Sequence, residues 1–206
     1  MNIYFDFTNL NIKSVFVGVG IFDGVHRGHQ EIIKILKENA KKYNSETCVL
    51  TFYPHPVEIL ANKEFEYLQT LDERLETLKE AGIKHTICVL FDEHFAKLNP
   101  DDFFNNYIFK HLKPNGMVVG ENFRFGKDRK GDTPLLENLC KQHKIKFCVV
   151  DSIKYNNEII SSTNIREKLK NSDFKSAYSM LGRRFYWIGV VTKGKGLGRK
   201  IGFPTI

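Results

Sequence analysis

Two histidines three residues apart, His26 and His29, sit in the stretch GIFDGVHRGH (residues 20–29), among Gly20, Gly24 and Gly28. Glycines let a backbone turn sharply and let a ligand come close to it. Apolar residues resume at Ile32, Ile33, Ile35 and Leu36, which predicts a helix from about Gly28 to Tyr43. The first turn of such a helix offers unpaired N–H groups and the positive end of its dipole, a natural seat for phosphate. Side chains three apart share a helix face, so both imidazoles can address one anion. An imidazole N–H donates to phosphate oxygens where negative charge grows in a transition state. The pattern points to nucleoside triphosphate chemistry. A metal site would need a third ligand, and none lies nearby in the sequence. Nor is Gly18-x-Gly20-x-x-x-Gly24 the dinucleotide fingerprint, whose spacing is G-x-G-x-x-G. Two solvated loop histidines are the plain alternative.

The elements that must hold this pair alternate along the chain. SVFVGVGIF (14–22), TCVLTFY (47–53), HTICVLF (85–91), GMVVG (116–120) and IKFCVVD (145–151) read as buried strands. Helices are predicted at 72–82, ended by Gly82, at 100–112, near 133–143 and over 164–181. Asp101 and Asp102 suit the first turn of the 100–112 helix. Apolar strands separated by helices predict an α/β fold, a Rossmann-like parallel sheet with helices on both faces. Such a sheet binds ligands beyond the carboxyl ends of its strands.

At 206 residues the chain can build one substantial core plus an extension. A hydrophobic share of 42% and a charged share of 27% describe an ordinary globular protein, not a disordered one. No run approaches the roughly 20 apolar residues needed to span a bilayer. The start, MNIYFDFTNL, has Asp6 in its apolar part and no basic flank, so it does not read as a signal peptide. Cys48, Cys88, Cys140 and Cys148 fall in or beside apolar runs without C-x-x-C spacing. Free thiols in a reducing cytoplasm are expected. The net charge of +7 invites a nucleic-acid reading, yet six of the 31 basic residues and none of the 24 acidic ones follow residue 182. The body is nearly balanced, whereas a phosphate-tracking surface needs a wider basic stripe. Small-molecule partners are expected, with neither nucleic acid nor membrane.

After residue 182 the character changes to RRFYWIGVVTKGKGLGRKIGFPTI, with one strand candidate (185–191) followed by glycines and cations. GVVTKGKG (189–196) nearly matches a P-loop, but Gly196 replaces the hydroxyl residue and no helix is expected to follow, so that reading is rejected.

GIFDGVHRGH resembles the H-x-G-H signature of the nucleotidylyltransferase superfamily. Its Phe-Asp-Gly form is similar to the FAD synthetase (FMN adenylyltransferase) family in particular, whose bacterial members typically join an adenylyltransferase domain to a C-terminal riboflavin kinase domain. Three further stretches match that family in order: TFYPHP (51–56), VGENFRFGKDRKGD (119–132) and ISSTNIREKL (160–169). GLGRKIGFPT resembles the start of the kinase domain. The resemblance implies an adenylyltransferase domain over 1–182 and, over 183–206, the opening strand of an incomplete β-barrel kinase domain. No kinase activity is expected from these residues alone.

The implied reaction is ATP plus FMN giving FAD and pyrophosphate, with Mg²⁺. By resemblance, His26, His29 and Arg166 are catalytic, and Ser161, Ser162 and Thr163 contact the ATP phosphates. The binding set extends to Gly20, Phe22, Asp23, Gly24, Gly28, His55, Pro56, Gly120, Asn122, Phe123 and Arg124, and no metal-ligand set is assigned. Asp23 is a candidate for positioning its loop or a Mg²⁺ ion, with an Asx turn as the simpler role. Asn122, Phe123, Arg124 and Phe125 offer polar edges and aromatic faces to a flat ring, although the phenylalanines could be core. The SST run could be an ordinary helix cap. Many relatives carry Asp at position 122 and Arg at 164, where this chain has asparagines. Alternatives are another H-x-G-H nucleotidylyltransferase with a small phosphorylated substrate, a silent flavin-nucleotide binder, and an RNA-binding module resting on the basic 183–200 tail.

Overall fold

The computed structural model describes residues 1–186, 188–190, 192 and 197–202. Six strands, β1 (Asn2–Tyr4), β2 (Val15–Val19), β3 (Glu46–Tyr53), β4 (His85–Leu90), β5 (Gly116–Gly120) and β6 (Lys146–Val150), form one sheet. Its order is β1-β4-β3-β2-β5-β6, and every neighbouring pair is parallel. Parallel neighbours require crossovers, and helices supply them. They are α1 (Arg27–Lys42), α2 (Pro56–Ala61), α3 (Leu71–Glu80), α4 (Glu93–Ala96), α5 (Pro100–Asp102), α6 (Lys110–Leu112) and α7 (Thr133–Gln142). A hairpin of β7 (Lys154–Tyr155) and β8 (Glu158–Ile159) then leads to α8 (Ser162–Lys170) and α9 (Phe174–Leu181), and α10 (Leu197–Lys200) follows.

Alternation along β2 shows why both faces are covered. Val15, Val17 and Val19 pack on one side with Phe95, Phe103, Phe104 and Leu136. Phe16 packs on the other with Ile33 and Leu36 of α1 and Leu78 of α3. All five residues of β2 are buried, as a strand sandwiched between helix layers requires. A third, smaller cluster joins Leu68, Ile160, Ile165, Ala177, Met180 and Leu181. Cys48, Cys88 and Cys140 are buried free thiols, and burial pushes Cys48 and Cys140 up to about 12.

Several expectations change in detail. The segment 164–181 is two helices, because Ser172 turns left-handed (φ 58°) and Asp173 caps a new start at Ser176 N–H. The 100–112 helix contains a π-helical stretch, Phe103–Phe109, whose longer period buries Phe103 and Ile108 together. Strand β1, helix α2 and the β7–β8 hairpin are too short for periodicity to reveal. The expected strand 185–191 includes Trp187 and Val191, which lie outside the described residues, and its described members form no strand. Most of the P-loop-like stretch also lies outside them. A helix does follow it, since Leu197, Arg199 and Lys200 are good helix formers, so Gly196 alone argues against a P-loop.

Candidate active site

Strand order reverses at β2: the chain lays β3 and β4 on one side of it and returns to lay β5 and β6 on the other. Beyond the carboxyl ends of β2 and β5 the connections diverge and leave a crevice of about 230 Å³. Gly20, His26, Gly28, His29, Gly120, Asn122, Phe123 and Ser161 line it.

The backbone entering this crevice is tightly wound. Phe22 (φ 57°), Gly24 (φ 79°) and Val25 (φ 39°) are all left-handed. A Cβ on Gly24 would come within 2.8 Å of Leu68 Cδ1, so glycine is needed there on two counts. The turn ends at His26, which is the N-cap of α1 and whose Nδ1 accepts the His29 N–H at 3.4 Å. The two imidazoles stack with centroids 3.7 Å apart. Burial, with Arg166 adding to it, lowers His26 to about 4. Burial, then His26 and Arg74, hold His29 well below the usual imidazole range. Both rings are thus held toward the neutral form, and among the described residues His29 Nδ1 is buried without a partner. Phe22 lies beneath His29, at 5.0 Å between centroids, and its largely buried ring forms part of the crevice lining.

Asp23 is also buried. Its carboxylate accepts the Leu68 N–H (3.0 Å) and the Gln69 N–H (3.3 Å) and pairs with Arg166 Nη1 at 2.8 Å. Burial pushes this carboxyl up, while those same partners pull it back. With its oxygens so engaged, Asp23 ties the turn to the residues before α3 and to Arg166 of α8. Among the described residues no group of three or more His, Cys, Asp and Glu side chains could hold a metal ion.

Around Arg166 a second cluster assembles. Its guanidinium lies 4.6 Å from the Phe65 ring centroid, and His55 stacks on Phe65 at 3.6 Å. His55 caps α2, with Pro56 in the first turn, and burial followed by the Arg166 charge lowers it to about 4. Ser161 caps α8 by accepting the Asn164 N–H (3.1 Å), Ser162 Oγ donates to the Asp23 carbonyl (2.9 Å), and Thr163 Oγ1 accepts from Arg166 Nη2 (3.4 Å). Asn164 donates to the Ile159 carbonyl (2.7 Å).

The remaining expected residues sit at the rim. Asn122 Nδ2 donates to Ser152 Oγ (3.0 Å), Phe123 stacks on Phe125 (5.6 Å), and Arg124 is exposed and turned back to the Phe123 carbonyl. Phe125 is core. Sequence reasoning missed Phe65, Arg74, Asp151 and Ser152. Only the last two carried a signal, Asp151 as the end of a predicted strand and Ser152 as the first residue beyond it, on the ligand side of the sheet.

Comparison with known proteins matches this site to a family. Residues 9–164 match the model of the FAD synthetase family. The bifunctional riboflavin kinase/FMN adenylyltransferase of Escherichia coli K12 is 38% identical over 188 residues, covering 91% of this chain and 60% of that protein. A protein of Listeria monocytogenes named FAD synthetase is 35% identical over 193 residues, covering 92% of this chain and 77% of its own. A solved structure of a Streptococcus pneumoniae protein, described as a macrolide-efflux protein, superposes with a TM-score of 0.84 at 28% identity, covering 98% of this chain and 66% of that one. The chain thus spans about three fifths of the length of the bifunctional relatives it matches. With the match running from before β2 into α8 and taking in both histidines, the chain belongs to the FAD synthetase family.

Proposed function

We propose that this chain transfers AMP from ATP to FMN, giving FAD and pyrophosphate. The observation that carries the reading is the stacked, neutral His26–His29 pair at the mouth of α1, set where the sheet reverses direction. An FMN phosphate oxygen attacks the α-phosphorus in line as the bond to the bridging oxygen breaks and pyrophosphate leaves. No protein nucleophile is needed, so the work is positioning and charge stabilisation. His26 accepts at Nδ1, which leaves its proton on Nε2 as a donor to phosphate oxygen. Arg166 brings positive charge from α8, held in place by Asp23. Residues 161–163 supply backbone N–H groups and the Ser161 and Thr163 hydroxyls to the phosphates, while Ser162, whose hydroxyl donates to the Asp23 carbonyl, and Gly20, Gly24 and Gly28 shape the loop. Asn122, Phe123, Arg124 and Gly120 border the ring-binding side, and His55 and Pro56 close the other. Mg²⁺, bound together with ATP, would supply further positive charge to the triphosphate.

The activity is assigned to residues 1–182, with 183–206 leading into the kinase part named for the relatives. The free thiols fit a reducing cytoplasm. The test incubates the purified chain with ATP and Mg²⁺, offering FMN and riboflavin separately, with His29→Ala as control. FAD from FMN alone, lost in the variant, upholds the reading. Binding of FMN without FAD or pyrophosphate release overturns it in favour of a silent flavin-nucleotide binder.

A further inference from the structure

Among the described residues Arg74, on α3, is the largest fully buried side chain, only 1% exposed. A buried guanidinium is ordinarily matched by a carboxylate, because stripping a charge of water is costly. Among the described residues, none lies within ion-pair distance of it. Instead Nη1 donates to the Ile21 carbonyl at 2.7 Å and Nη2 to the Phe52 carbonyl at 3.2 Å, and Nε is buried with no partner among the described residues.

Those two carbonyls lie where the two histidine-bearing loops begin. Ile21 follows β2 and directly precedes the left-handed Phe22, and its carbonyl also accepts Thr51 Oγ1 at 2.8 Å. Phe52 is the penultimate residue of β3, three before His55. A run of left-handed residues persists only where its surroundings over-determine it. Two donors on the Ile21 carbonyl do so from one side. From the other, Asp23 accepts the Leu68 and Gln69 N–H groups, which immediately precede α3. The start of one helix therefore fixes both ends of the turn that delivers His26 and His29.

We infer that Arg74 is a positioning residue of the adenylyl-transfer site, a buried cation that ties together the strand ends bearing the two histidine loops. The inference rests on the function proposed above. It explains why a guanidinium stands where an apolar residue would fill the space: only a fork reaches both carbonyls at once. Its charge also acts on both loops. His29 is faced by Phe22, His26 and Arg74, and His55 by Arg166, Glu58, Tyr67 and Arg74. Arg74 disfavours the imidazolium in each case.

The test compares wild type, Arg74→Met and Arg74→Lys by thermal melting, calorimetric ATP binding, NMR titration of the histidine rings, and FAD formation. In folded Arg74→Met the His29 and His55 midpoints rise, and ATP affinity falls about 10- to 100-fold. Arg74→Lys keeps the charge but reaches one carbonyl, so its midpoints stay near wild type and affinity falls only a few-fold. Unchanged midpoints and affinity in Arg74→Met overturn the inference. Should that variant not fold, Arg74→Lys decides, and wild-type ATP affinity in it overturns the inference equally. A wild type that forms no FAD defeats the proposed function by itself, while midpoints and ATP affinity still decide the role of Arg74.

Discussion

At the residue scale the site depends on which polar atoms already have partners. Asp23 can receive Leu68 N–H, Gln69 N–H and Arg166 only because a carboxylate is acceptor alone. In Asp23→Asn the amide must turn its NH₂ toward one of these donors. The expected result is a loss of about 1–3 kcal/mol in unfolding free energy, read by denaturant titration. Arg166 is released with it, so kcat/KM for FAD formation should fall further than stability alone explains. A variant with wild-type stability and rate would show that the pair is incidental. His26, His29 and the Ser161–Thr163 run were legible in the sequence because each lies in a short contiguous motif whose local geometry is set by a helix start. Arg74 was not, because its partners are backbone carbonyls 53 and 22 residues away, and sequence spacing carries no trace of such contacts. Asp23 stood between: its loop role was foreseen, but the Leu68 partner 45 residues on was not.

At the scale of elements, the turn between β2 and α1 is the least forgiving part of the molecule. Gly24 combines a left-handed φ of 79° with a Cβ position 2.8 Å from Leu68 Cδ1. Gly24→Ala must push the Leu68 side chain aside and hold a left-handed alanine, or unwind the turn, at an expected cost of about 1–3 kcal/mol. Since Leu68 also donates to Asp23, FAD formation should fall along with the melting temperature. A melt unchanged from wild type would mean that the turn relaxes freely. The long elements were legible for a plain reason: β2 and β5 are fully apolar runs, and α1 repeats Ile32, Ile33, Leu36 and Ala40 along one buried stripe. Short elements carry too few periods to register. The three-residue β1 and six-residue α2 went unseen, although α2 brings His55 to the Phe65–Arg166 stack. The break at Ser172 was hidden because apolar periodicity continues through Ile165, Leu169, Phe174 and Ala177 on either side of it.

At the scale of the whole molecule, a fold that buries its histidines to keep them neutral must lose stability when protons compete. His26 and His55 both stand at about 4 in the folded chain, against about 6.5 when unfolded. Between these values the unfolded chain binds more protons than the folded one, so stability rises with pH. Their contribution is complete above about pH 6.5 and is lost progressively as pH falls toward 4. His26, the more deeply buried of the two, should alone account for on the order of 1 kcal/mol per pH unit across that window. Denaturant unfolding at several pH values between 7 and 4.5 measures this slope. His26→Gln keeps a polar cap but cannot titrate, and should flatten the curve by the His26 share. An identical slope in wild type and variant would place the proton uptake elsewhere and remove the argument that the crevice holds its imidazoles neutral. Carboxylates held low by their partners, such as Glu46 beside His85, respond mainly below this range.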